Sequence, residues 1–133
     1  MLGEQIGSDK GKVTGRRVLE GEHGPTVETS FEAMGTVLGV EGMGMGTYVS
    51  TMRPDGTLYG TGQGLLMGKN GEQATWKGSG VGVFDDKGGI KFRGAIYYFS
   101  NGATLKRLNN VAVVYEHNVD AAGNTDGKIW EWK

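Results

Sequence analysis

The sequence predicts an all-β protein, an eight-stranded antiparallel up-and-down closed β-barrel, with an open β-sandwich as the alternative. Three observations carry this expectation. Eight segments that alternate apolar and polar residues follow one another at spacings of roughly 8 to 12 residues, each bounded by turn residues. No segment sustains a helical period. The stretch from Gly56 to Val83 holds two G-x-G-x-G runs, Gly60, Gly62 and Gly64 and then Gly78, Gly80 and Gly82, on either side of the hairpin signal Asn70-Gly71. Side chains alternate between the faces of a strand, so each run clears three consecutive positions on one face.

The turn decides whether those bare rows coincide. A two-residue loop at Asn70-Gly71 would set Lys69 opposite Glu72 and put the rows on opposite faces. A loop one residue longer, with Gly71 in the left-handed conformation of a bulge, puts them on one face. The expected register is the second, with Gly64 opposite Gly78, Gly62 opposite Gly80 and Gly60 opposite Gly82. Leu58, Leu66, Ala74, Trp76 and Phe84 then share the bare, inner face, while Thr61, Gln63, Lys77 and Ser79 face outward. An inner wall without side chains lets a sheet coil tightly, and leaves room for large rings from the opposite wall or for a ligand.

Taken in order, Met1 to Gly11 reads as a loose polar arm and Lys12 to Leu19 as the first strand, followed by a turn at Gly21 to Pro25. Thr26 to Val40 alternates, with Val27, Thr29, Phe31 and Ala33 inward and Glu28, Ser30 and Glu32 outward; Gly35 and Gly39 are expected to bend or bulge it. Gly42 to Gly46 leads into a third strand, Thr47 to Arg53, closed by the turn Pro54-Asp55-Gly56. The glycine-rich hairpin supplies strands four and five. After the turn Asp85 to Gly89 comes strand six, Ile90 to Phe99. Ser100 to Asn110 is the longest connection, with Leu105 and Leu108 in a polar setting and room for a short helical turn. Val111 to Val119 is strand seven, Asp120 to Asn124 a loop, and Lys128 to Trp132 strand eight. Hydrogen bonds between the first strand and the eighth would separate barrel from sandwich.

The 133 residues fit one domain, 1–133. There is no cysteine, which excludes disulfides and thiolate metal sites. The 26 glycines lie within alternating segments that contain only two prolines, so they belong to strands and turns rather than to a flexible linker. A formal charge of -1 without a basic run argues against nucleic acid. No stretch approaches the ~20 apolar residues of a membrane helix and the N-terminus lacks a signal-peptide pattern, so a soluble cytoplasmic protein is expected.

Signals of chemistry are sparse. His23 and His117 have no second ligand at metal spacing, and no metal or cofactor is expected. The glycine runs open no helix, which excludes phosphate-loop and dinucleotide readings, and no G-x-S-x-G elbow is present. His117 shares a face with Tyr115 and is the one candidate acid or base; the alternative is a hydrogen-bonded wall residue. Arg93 and Glu116 have the parity to meet across strands six and seven, as a salt bridge or as part of a ligand site. Trp76, Phe84, Phe92, Tyr98, Tyr115, Trp130 and Tyr48 are expected to face inward, opposite the bare wall. They either fill the barrel or line a pocket. With Phe92, Ile96, Tyr98, Val113 and Tyr115 inward, the outer face of strands six and seven shows Ala95, Tyr97, Phe99, Ala112 and Val114. That apolar patch calls for a cover: a second subunit in a homo-oligomer, the N-terminal arm, or the Ser100 to Asn110 connection.

From Gly56 to Lys133 the succession RPDGTLYGTGQG, a glycine-alternating strand, FRGAIYYF, LNNVAVVYEHNVD and a closing WEWK resembles small uncharacterised bacterial barrels related to the allene oxide cyclase-like (calycin-like) fold. The resemblance implies an eight-stranded barrel with an inner cavity, in a superfamily where some members cyclise or isomerise apolar substrates without a cofactor. The catalytic positions of the plant cyclases match no residues here.

The expected function is binding of a small, largely apolar molecule inside the barrel, with Trp76, Phe84, Phe92, Tyr98, Tyr115 and His117 on the wall. Two alternatives stand beside it. One is a cofactor-independent cyclase or isomerase in which a tyrosine, His117 or a glutamate moves a proton. The other is a solid-cored barrel acting through its outer surface as an interaction or assembly module. Cavity volume discriminates: below the ~300 Å³ typical of ligand sites, with aromatic rings in mutual contact, the binding and enzyme readings fall.

Overall fold

The computed structural model describes residues 2–133 as β1 (Leu2–Leu19), β2 (Thr26–Val37), β3 (Val40–Met52), β4 (Leu58–Gly68), β5 (Gln73–Phe84), β6 (Ile90–Ser100), a 3-10 helix η1 (Leu105–Asn110), β7 (Ala112–Val119) and β8 (Asn124–Trp132). Every strand pairs antiparallel with the next, and β1 also pairs with β8, which closes the barrel and removes the sandwich alternative. Closure leaves no free sheet edge.

Besides β3 starting at Val40 rather than Thr47 and β8 at Asn124 rather than Lys128, three expectations need correction. The arm is not loose: its residues from Leu2 onward are the first half of an 18-residue β1, and Gly7 to Lys12 pair with Asn124 to Ile129 of β8. Those small and polar residues lack an apolar alternation, because Gly7 and Gly11 occupy inner positions. The Thr26 to Val40 segment carries no bulge against β3 but ends in a two-residue hairpin, with Val37 opposite Val40 and both central residues, Leu38 (φ 50) and Gly39 (φ 79), left-handed. Leucine is rare in that conformation. Here Leu38 packs against the buried cluster beneath the turn, and its N–H bonds the Ile6 carbonyl at 2.8 Å.

The third correction is the register of the glycine hairpin. The loop is Lys69-Asn70-Gly71, with Gly71 left-handed (φ 90), so Gly62 faces Gly78, Gly60 faces Gly80, and Gly64 faces Trp76. Both bare rows lie on the inner face as expected, but they are offset by two residues. The offset seats an indole on a glycine: a Cβ at Gly64 would collide with the Trp76 ring.

Inner glycines also let strands approach where the sheet coils hardest. A side chain at Gly35 would run into the carbonyl of Ser8, and one at Gly42 into that of Met67.

The Ser100 to Asn110 connection does not cover the outer face. It folds over the end of the barrel, where Leu105 and Leu108 are fully buried with Val37, Val40, Ala74, Val113 and Ile129. Glu72 positions this plug by accepting the N–H groups of Thr104 (2.8 Å) and Leu105 (2.9 Å). Asn109 exchanges two bonds with the Ser100 backbone. Arg107 pairs with Glu131, a carboxylate otherwise buried inside the same end. The backbone N–H bonds hold the Glu72 carboxyl below its ordinary range, so the clamp is present above that range and is lost as the pH falls through the lowered value. Replacing Glu72 with Ala is expected to raise the amide exchange rates of Thr104 and Leu105 while leaving those of β3 unchanged, as hydrogen-exchange mass spectrometry or NMR would show.

Candidate functional site

The interior is built row by row from cross-strand pairs. Phe31, Tyr48, Phe92 and His117 project from β2, β3, β6 and β7 into one cluster: ring centroids lie 4.9 Å apart for Phe31 and His117, 5.3 Å for Tyr48 and Phe92, and 6.0 Å for Tyr48 and His117. These are ordinary tilted and edge-on contacts of aromatic rings. The glycine wall receives rings directly. Trp76 lies on Gly64, the Phe92 ring on Gly82, and the Tyr115 hydroxyl reaches over Gly80. Most of the volume that the glycines clear is thereby refilled.

What remains is a lumen of about 120 Å³ bordered by Gly60, Gly62 and Gly78 on one wall, with Trp76, Phe92, Tyr98, Tyr115 and His117 around it. One end is stopped by the η1 plug, and the Phe31–Tyr48–Phe92–His117 cluster borders the lumen away from it. A wider, more open recess of about 700 Å³ borders the inner residues Phe31, Gly46, Gly64, Trp76 and Tyr98 together with exposed outward side chains such as Glu32, Gln63 and Lys77. The lumen lies below the ~300 Å³ expected of a drug-sized ligand. With rings in mutual contact beside it, that removes a drug-sized ligand and catalysis on one, and leaves room only for a guest no larger than the benzene that a ~150 Å³ apolar cavity holds.

Among the residues expected on the wall, Trp76, Phe92, Tyr98, Tyr115 and His117 border the lumen. Phe84 does not. It has inner parity, but it is the last residue of β5 and is half exposed at the rim, beyond the level where the barrel is closed over it. Trp130 is also displaced: Gly127 and Ile129 face the lumen, so the alternation turns Trp130 outward beside Val114. Arg93 and Glu116 do pair, at 3.8 Å, with both side chains over 40% exposed, a surface bridge worth little.

The sequence reading missed Asp9. It faces inward from β1 opposite Gly127 of β8, and Gly127 in turn faces His117 of β7, so the three form one cross-strand row. The Asp9 carboxylate lies over the bare Gly127, where a Cβ would stand 2.5 Å from Oδ1. Burial, followed by the negative charge of Asp126, pushes the Asp9 carboxyl up to about 6, against a hydrogen bond from the Gly127 backbone. Burial pulls the His117 imidazole down to about 4, against an upward pull from Asp126, so it is neutral at pH 7. Burial also raises the phenols of Tyr98, Tyr115 (to about 12) and Tyr48. Asp9 Oδ1, His117 Nε2 and Thr125 Oγ1 are buried without a hydrogen-bond partner. No cluster of three or more metal-ligating side chains occurs among the described residues.

Fold and lumen together define a closed, up-and-down antiparallel barrel with a small, plugged interior. Solved barrels of this shape are known. A protein of unknown function from Clostridium acetobutylicum superimposes with a TM-score of 0.83 at 15% identity, covering 96% of each chain. A conserved protein of unknown function from Rhodopseudomonas palustris gives 0.82 at 11%, covering 98% of this chain and 97% of its own. A β-barrel-like protein from Acinetobacter baumannii gives 0.83 at 10%, covering 100% and 96%. The chain thus shares its fold with uncharacterised bacterial β-barrel proteins. No protein-family model and no curated protein matches the sequence.

Proposed function

We propose that the barrel binds a small, largely apolar molecule of about benzene size in its lumen. The observation that carries this reading is the void of about 120 Å³ left between a glycine wall and a set of rings. Enclosed apolar sites with a few placed polar groups are the usual form of small-molecule sites. In a titration with benzene followed by NMR, shift changes are expected at Gly62, Gly78, Ile96 and Tyr115 and not at the β1–β2 turn. Changes confined to exposed residues would overturn it.

Two further readings each have an observation behind them. His117, buried and unpartnered at Nε2, is positioned to accept a proton, as a weak base because burial holds it at about 4, and this position supports the cofactor-independent isomerase or cyclase suggested by the allene oxide cyclase-like resemblance, for a substrate small enough for the lumen. Tyr97 and Phe99 are 58% and 57% exposed on the outer face beside Ala95, Ala112 and Val114, and neither the N-terminal segment nor η1 covers them. That supports self-association through this patch. A sedimentation mass equal to the monomer at high concentration would remove it.

A further inference from the structure

We infer that the guest of the lumen is a small aromatic molecule carrying a hydroxyl, a phenol in the simplest case, with its ring on the glycine wall and its hydroxyl held between Asp9 and His117. The inference rests on the reading of the lumen as a binding site and deepens it.

The lumen has two unlike walls. From β3 to β6 its lining is glycine, aliphatic and aromatic: Gly44, Tyr48, Gly60, Gly62, Trp76, Gly78, Phe92 and Ile96. The opposite wall, β7, β8 and β1, carries Asp9 and His117 beside Tyr115, Gly127 and Ile129. Among the described residues the three buried side-chain polar atoms without a partner are Asp9 Oδ1, His117 Nε2 and Thr125 Oγ1, and all three belong to these strands. Asp9 and His117 flank Gly127 in one row, about 9.5 Å apart at Cα by the spacing of adjacent strands. The carboxylate leans over the intervening glycine into the space that a larger residue would fill.

Buried polar atoms left unpaired cost folding free energy, so Asp9 and His117, which both border the lumen, point to a group that pairs with them when the site is filled. The chemistry of the two principal atoms selects that group. An ionised carboxylate only accepts hydrogen bonds, while a neutral imidazole carries one donor and one acceptor nitrogen. A hydroxyl serves both. It donates to Asp9 and accepts from His117 in the tautomer protonated at Nε2. An apolar ring serves neither, and an anion would meet the Asp9 charge. Charged groups facing the pair are few: Asp126 influences both, and Tyr98 lies near Asp9.

The test compares phenol with benzene, by calorimetry or NMR titration at pH 7.5, on the wild-type protein, on Asp9→Asn and on His117→Phe. In a purely apolar lumen the lost hydration of the hydroxyl would favour benzene. Here phenol is expected to bind at least roughly tenfold tighter, a hydrogen bond to a charged group being enough to supply that factor. Each substitution should bring the phenol-to-benzene ratio down toward one or below, whatever it does to benzene binding itself. Asp9→Asn preserves shape, so a folding failure of His117→Phe leaves the comparison intact. Equal binding of both probes in the wild type, or a phenol preference that survives both substitutions, overturns the inference and leaves lumen binding standing. If neither probe enters and the lumen holds only ordered water, both fall.

Discussion

Replacing Leu108 with Ala should lower the stability of the barrel by about 3 to 5 kcal/mol, near the top of the range for a buried leucine. Leu108 and its neighbour Leu105 are fully inaccessible, yet both come from a connection rather than a strand. Removing three buried carbons loses their transfer free energy, and the size of the further cavity penalty depends on whether the surroundings can collapse. They have little freedom to do so. The walls around Leu108, from Val37 and Val40 to Val113 and Ile129, belong to strands hydrogen-bonded on both sides in a closed cylinder. The helix that carries Leu108 is itself held by Glu72, Asn109 and Arg107. Urea unfolding would report the loss as a lower midpoint with an unchanged slope. A loss under about 1 kcal/mol would mean that η1 is a loosely attached flap and not the stopper of the lumen.

That stopper illustrates what was and was not legible in the sequence. Strand number, pairing order and closure could be read, because period-two alternation and turn residues are local signals and eight short-linked strands have few antiparallel arrangements. The inner face of the glycine hairpin could be read too, since parity survives a two-residue slip. The slip itself could not: Asn70-Gly71 serves equally well at two positions of a three-residue loop, and the choice is made by Trp76 seating on Gly64 and by Val40 packing beneath Gly68. Nor does a list of apolar residues say that Leu105 and Leu108 turn down into the barrel. Asp9 was hidden for a different reason. Surrounded by glycine, serine and lysine, it looks like one more polar residue of a tail, and only pairing with β8 places it inside. Phe84 fails through position alone, as parity says which face a residue takes but not whether the wall extends far enough to cover it.

The largest pH effect should appear only after one of two groups is removed. His117 titrates at about 4 in the folded protein against 6.5 when exposed. Between those values the unfolded chain holds a proton that the folded one does not, so its contribution to stability is present above pH 6.5 and is lost as the pH falls toward 4. At 1.36 kcal/mol per pH unit the whole interval comes to about 3 kcal/mol. Asp9 has the opposite sign. Its folded value of about 6 lies above the exposed 3.8, so the folded state holds the extra proton, and stability is gained as the pH falls through the same range, again by about 3 kcal/mol. In the wild type the two nearly cancel: from about pH 6 to 4 either state carries one proton on this pair, on Asp9 when folded and on His117 when unfolded. Burial is the main cause of each shift and neither is caused by the partner, so removing one group leaves the other exposed to measurement. His117→Phe should therefore become more stable on acidification from pH 7 to 4.5, and Asp9→Asn less stable, relative to wild type. Taking the difference from wild type subtracts the surface carboxylates, Asp55, Glu72, Asp85 and Asp120, whose lowered values act alike in all three proteins. Chemical denaturation at half-unit steps of pH would resolve slopes of this size. Parallel curves for the three proteins would show that Asp9 and His117 are solvated and that the polar wall does not face a dry lumen.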